Sequence, residues 1–132
     1  MLLPTFHFPG NCNEAIAFYQ KAVGAEIKEI AYAKDAPADA VEGVPPNFVL
    51  HSEILMFGTC IGMTDMGEGP MTDEQFMFTL LFDSDEEVIA VFNKLADGGT
   101  IVEPLAPQFW CSLNGSIVDP FGVSWNVGTR GK

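Results

Sequence analysis

The spacing of apolar positions changes repeatedly along this chain, and each change marks an element. Leu2 to Phe8 is apolar and stops at Pro9-Gly10, a turn signal, so the chain opens on a short strand. Ala15, Ile16, Tyr19, Ala22 and Val23 recur at three- and four-residue steps, which predicts a helix over most of 13–23. Asn11 or Asn13 is placed to cap that helix, Glu14 suits its first turn, and Gly24 suits its C-terminal stop. Ala25 to Ala33 alternates loosely and reads as a strand, and the Pro-, Ala- and Asp-rich stretch 34–47 reads as a loop. "NFVLHSEILMFGTCIGMTD" (47–65) reads as a hairpin with Gly58-Thr59 at its turn.

A linker of Gly, Pro and acids, "MGEGPMTDE", follows, and then the pattern returns. "FMFTLLFD" is a strand, and "SDEEVIAVFNKLADGG" is a helix over most of 85–96 with Ser84 as cap and an acidic first turn. "TIVEPL" is a strand, "FWCSLNGSIVD" a hairpin arm with Asn114-Gly115 at its tip, and "VSWNVG" the last strand. Each half thus reads strand-helix-strand-strand-strand. At an offset of 73, "EAIAFYQKAV" (14–23) lies over "EVIAVFNKLA" (87–96) with Glu14/Glu87, Ile16/Ile89, Ala17/Ala90 and Lys21/Lys94 identical. The flanking strands recur in the same order, which makes the chain a tandem βαβββ repeat of class α+β, with modules 1–65 and 75–130 in one domain.

Composition narrows the function classes. A chain of 132 residues, 48% apolar, can bury a core without disulfides. A net charge of −12 repels phosphate backbones and anionic membranes, so neither nucleic acid nor a membrane surface is an expected partner. Cys12, Cys60 and Cys111 form no CxxC pair and are odd in number, which suits a reducing compartment; with no signal peptide or membrane span in view, the expected location is cytoplasmic.

The candidate chemistry is sparse. His7 and His51 both fall on predicted strands, and His51 and Glu53 are two apart, so they share one face. Such a pair can orient a polar ligand or relay a proton, and it can equally be a structural hydrogen bond. Cys60 and Cys111 lie at no helix N-terminus and beside no Lys or Arg, so both read as buried, unreactive thiols. No Gly-rich turn between a strand and a helix is available to hold a nucleotide methyl donor, since "MGEGP" is acidic and ends in Pro.

The whole pattern resembles a known family. "GNCNEAIAFYQKAVGAEI" (10–27), "VLHSEILMFGTCIGMTD" (49–65) and "FWCSLNGSIVDPFGVSWNV" (109–127) resemble the vicinal oxygen chelate superfamily of glyoxalase I, bleomycin-resistance proteins and extradiol dioxygenases, and within it the PhnB-like branch labelled "3-demethylubiquinone-9 3-methyltransferase". The resemblance implies curved four-stranded sheets around a cleft, with the strand after Asp119-Pro120-Phe121-Gly122 facing it. Metal-dependent members hold an ion on four cleft-facing strands through His, Glu or Gln. Carried over by spacing, those places fall near Pro4, Gly62, Met77 and Asn126, none of them a good ligand for zinc, iron or manganese. No metal or other cofactor is therefore expected. The resemblance implies Asn126 inward, and strand alternation then turns Trp125 to the opposite side, packed outward. Trp110, in a stretch resembling the branch's Phe-Trp-Gly motif, is the better candidate to stack on a flat ligand.

Three functions fit. The favoured one is a homodimer that binds a small organic molecule, for which acidity would select a cation, through His7, His51, Glu53, Trp110 and Asn126. The second is a metal-assisted lyase, isomerase or dioxygenase, which requires His7, His51 and a carboxylate to converge. The third is a catalytically silent partner domain. No catalytic residue is assigned.

Overall fold

The computed structural model describes residues 3–65, 77–108 and 110–130. The chain divides into two compact units, Met1–Met71 and Thr72–Lys132. The linker expected over 66–74 lies outside the described residues.

The first unit runs β1 (Thr5–Phe8), α1 (Cys12–Val23), β2 (Glu26–Tyr32), β3 (Val49–Met56) and β4 (Thr59–Asp65). Its sheet has the order β1-β4-β3-β2, with β1 parallel to β4 and the other pairs antiparallel. The second unit repeats this with β5 (Phe78–Phe82), α2 (Asp85–Ala96), β6 (Thr100–Gln108), β7 (Cys111–Val118) and β8 (Ser124–Thr129), in the order β5-β8-β7-β6. The architecture is α+β, two βαβββ modules, as the sequence pattern predicts.

Each sheet gives one face to its helix. In the first unit Phe6, Phe8, Ile54, Ile61 and Met63 are buried on one side, as are Ala15, Ile16 and Tyr19 of α1. Burial of each large apolar side chain contributes about 1.5–3 kcal/mol. Asp65 marks that side as the helix side, because its Oδ1 accepts from the backbone N–H of Cys12 at 2.9 Å. Its Oδ2 accepts from the N–H of Val49 at 2.9 Å, so one buried carboxylate ties the helix start to β3. The expected cap is corrected accordingly. Asn11 occupies the cap position but makes no side-chain cap bond, and Asn13 lies inside the helix and donates to the Asn47 carbonyl. Asp65 does the work at the positive helix end. Gly24 stops α1 as expected, at φ 70°, a left-handed conformation that favours glycine.

Two turns sit elsewhere than the sequence suggests. The β3–β4 turn is Phe57-Gly58, both at positive φ (51° and 78°), and Thr59 already pairs with Met56. Asn114-Gly115 is not a tip at all but the middle of β7. Gly115 is small because a Cβ there would lie 2.8 Å from the Phe92 ring and 2.9 Å from the Glu103 carbonyl oxygen. The hairpin signal was a packing requirement.

The Asp119-Pro120-Phe121-Gly122 turn does form. Asp119 Oδ1 accepts from the N–H groups of Phe121 and Val123, and its Oδ2 accepts from the Trp125 indole at 2.8 Å. No helix among the described residues is long and apolar enough to cross a membrane.

Candidate functional site

The second unit's sheet face is assigned through Gly115. Its missing Cβ points at Phe92 of α2, so its partner Val127 and the alternate residues Trp125 and Ile117 share the helix side. Trp125 is buried there, its ring 5.6 Å from that of Phe78. Asn126, Ser116, Asn114 and Thr79 therefore share the opposite face, because Asn126 pairs with both Ser116 and Thr79. Asn126 thus faces away from the helix and Trp125 towards it, the alternation expected from the sequence.

On that face the two asparagines form a reciprocal amide pair. Asn114 Nδ2 donates to Asn126 Oδ1 at 3.0 Å, and Asn126 Nδ2 donates to Asn114 Oδ1 at 3.1 Å. The Ser116 hydroxyl adds a third bond to Asn126 Oδ1 at 3.2 Å. Gly128 must lack a side chain, since its Cβ would lie 2.5 Å from Asn114 Oδ1. Leu81, half-exposed, lies opposite Gly128 on the same face. Asn114 and Ser116 were missed from sequence because the Asn-Gly pair looked like a turn.

The first unit's helix-distal face carries the histidines. Gly62 pairs with Thr5 and with Glu53, and Thr64 pairs with His7, so all of these share one face. His7 Nδ1 bonds the Thr64 hydroxyl at 2.8 Å. His51 Nε2 contacts Glu53 Oε2 at 3.3 Å, and Glu29 of β2, directly opposite Glu53, joins them. The ligand atoms of Glu29, His51 and Glu53 all lie within 4.8 Å of one another. His7 is not in this group. It stands on β1, with β4 between it and β3, about 10 Å away across the sheet at strand spacing.

The electrostatics follow from these contacts. Glu53 is held below the usual carboxylate range by the His51 hydrogen bond first and that of Glu29 next, against a smaller desolvation effect. The Cys60 thiol, half-buried rather than buried as expected, contacts Glu53 Oε1 at 3.7 Å, and its pKa is raised by desolvation and then by the Glu53 charge. Cys12 and Cys111 are buried, and all three cysteines are free thiols. Trp110 stands half-exposed at the turn between β6 and β7.

The description "Glyoxalase/Bleomycin resistance protein/Dioxygenase superfamily" matches residues 4–127. The chain belongs to the glyoxalase/bleomycin resistance protein/dioxygenase superfamily. Protein YjdN of Escherichia coli (strain K12) is 33% identical over 138 residues, covering 96% of this chain and 92% of that protein. The crystal structure of protein PA1353 from Pseudomonas aeruginosa superimposes with a TM-score of 0.84 at 28% identity, covering 98% of this chain and 97% of that one. A Bacillus cereus structure, described as a putative 3-demethylubiquinone-9 3-methyltransferase, PhnB protein, gives 0.83 at 23% identity, with 98% of each chain covered. That last likeness concerns the fold alone.

The superfamily's metal can be tested against the four places carried over from the resemblance. Pro4 offers only its backbone carbonyl, which accepts from Gly62 N–H at 2.7 Å. Gly62 has no side chain to ligate an ion, and a Cβ there would lie 2.7 Å from the Thr5 hydroxyl. Met77 is exposed and offers a thioether, a poor ligand for a hard divalent ion. Asn126 is engaged in its amide pair. These residues do not fit the group.

Proposed function

We propose that this chain binds a small organic molecule on the helix-distal face around Asn126, without an ion at the superfamily's metal places. The observation that carries this reading is the amide pair. Asn114 and Ser116 fix the Asn126 carboxamide in place, and one Asn126 N–H is left without a partner among the described residues. An ordered, half-buried donor beside Leu81 and Thr79 suits a ligand with one oxygen acceptor and an apolar body. The net charge of −12 favours a ligand that also carries a positive charge. Trp110 adds a half-exposed indole able to stack on a flat group.

A homodimer in a reducing, cytoplasmic setting belongs to the same reading. β2 and β6, each at one edge of its sheet, carry exposed Ile27, Ile101 and Val102, apolar positions that a second copy would cover. The free thiols suit that compartment.

The experiment is a binding screen of small organic cations, zwitterions and neutral aromatics by native mass spectrometry, repeated on Asn126→Ala. The reading expects at least one class to bind, and to bind tenfold or more weakly to a variant with an unchanged far-ultraviolet spectrum. Equal binding to both proteins, or no binding by any class, contradicts it.

A further inference from the structure

We propose that Glu29, His51 and Glu53 bind a divalent transition-metal ion on the helix-distal face of the first unit, through side chains that are none of the four places carried over from the superfamily. Two independent features converge on this. The first is geometric. Three ligand atoms of suitable type, one imidazole nitrogen and two carboxylate oxygens, lie within 4.8 Å of one another. Around a tetrahedral ion with bonds of about 2.0–2.2 Å, such atoms sit about 3.4 Å apart. Rotation of the exposed Glu29 side chain closes that gap, and Ala31, the small residue opposite His51, leaves room for it.

The second feature is a cost that an ion removes. Glu29 and Glu53 face each other directly across β2 and β3, and two ionised carboxylates so placed destabilise a sheet unless a proton or a cation lies between them. His51 lies beside them, and its 3.3 Å contact reaches only one Glu53 oxygen. A dication between the carboxylates turns this repulsion into attraction. Cys60 is not needed as a ligand. Its thiol lies 3.7 Å from Glu53 Oε1 and steadies that carboxylate from behind.

The donor set selects the ion. One imidazole with two carboxylates suits zinc, manganese, iron or cobalt, and three protein ligands leave a further position open to water or an oxygen-bearing ligand. The site differs from the expectation of a metal-free chain, and sequence could not reveal it because Glu29 is 22 residues before His51, across the loop that hides the β2–β3 register.

The test is titration of the chelator-stripped chain with cobalt(II) and then zinc(II), followed by visible absorption and calorimetry. Wild type should take up one ion per chain with the intense absorption of a low-coordinate site. Glu29→Gln and His51→Ala should each weaken uptake tenfold or more, whereas Glu26→Gln, an exposed acid on the same strand, should change it less than threefold. Glu29 is exposed, so its variant stays folded even if His51→Ala does not. The proposal is overturned if cobalt keeps its aqueous spectrum, or if Glu29→Gln binds as wild type does. Asn126→Ala, measured alongside, should leave metal uptake unchanged, so failure here is distinguishable from failure of the organic-ligand reading.

Discussion

At the scale of single residues, glycine and asparagine do the positioning. Gly115 is required by Phe92 and the Glu103 carbonyl and not by a turn. Gly115→Ala should therefore destabilise by about 2–3 kcal/mol through overpacking, measured by urea unfolding; a change under 0.5 kcal/mol would return Gly115 to a turn. The amide pair makes a separate claim. Asn126→Ala leaves the buried Asn114 without its partner, at a cost of about 1–3 kcal/mol, and a double-mutant cycle with Asn114→Ala should give a coupling of about 1 kcal/mol. Additive effects would mean that the amides act independently. Cys12 supplies a pH signature. Burial first, and the neighbouring Asp65 charge next, push its thiol from 9.0 to about 12. A pKa raised on folding lends stability below the unfolded value that fades as pH rises past it. Between pH 8 and pH 10 wild type should thus lose about 1 kcal/mol more than Cys12→Ala does. Parallel pH profiles would contradict this.

At the scale of elements, periodicity was sufficient wherever one face meets a helix. Both helices, the strand order along the chain and the opposite facing of Trp125 and Asn126 were legible, because alternation and helical spacing are local. The β3–β4 turn was displaced by one residue because Phe57, an unusual residue for positive φ, gave no turn signal. The cap of α1 was misassigned because Asp65 reaches it from 53 residues away. Glu29 was missed for the same reason as Asn114: each meets its partners across strands, and register is not written in either strand alone. His7 and His51 looked equivalent in the chain, yet the order β1-β4-β3 sets them apart.

At the scale of the whole molecule, duplication gives each unit its own helix-distal face, and the two faces have diverged. One carries an imidazole and two carboxylates, the other a locked carboxamide pair. If copies cover the β2 or β6 edge, light scattering at micromolar concentration should give twice the chain mass, and Val102→Lys should reduce it if β6 is the edge used. A monomer in wild type would remove the dimer.

The central claim is that this superfamily member has given up the inherited metal places and uses Asn126 as an organic-ligand anchor. Anomalous scattering from crystals soaked in manganese and in zinc tests it most directly. The account predicts no peak within bonding distance of Asn126, with any ordered ion at His51 Nε2. A peak coordinated at Asn126 would contradict it.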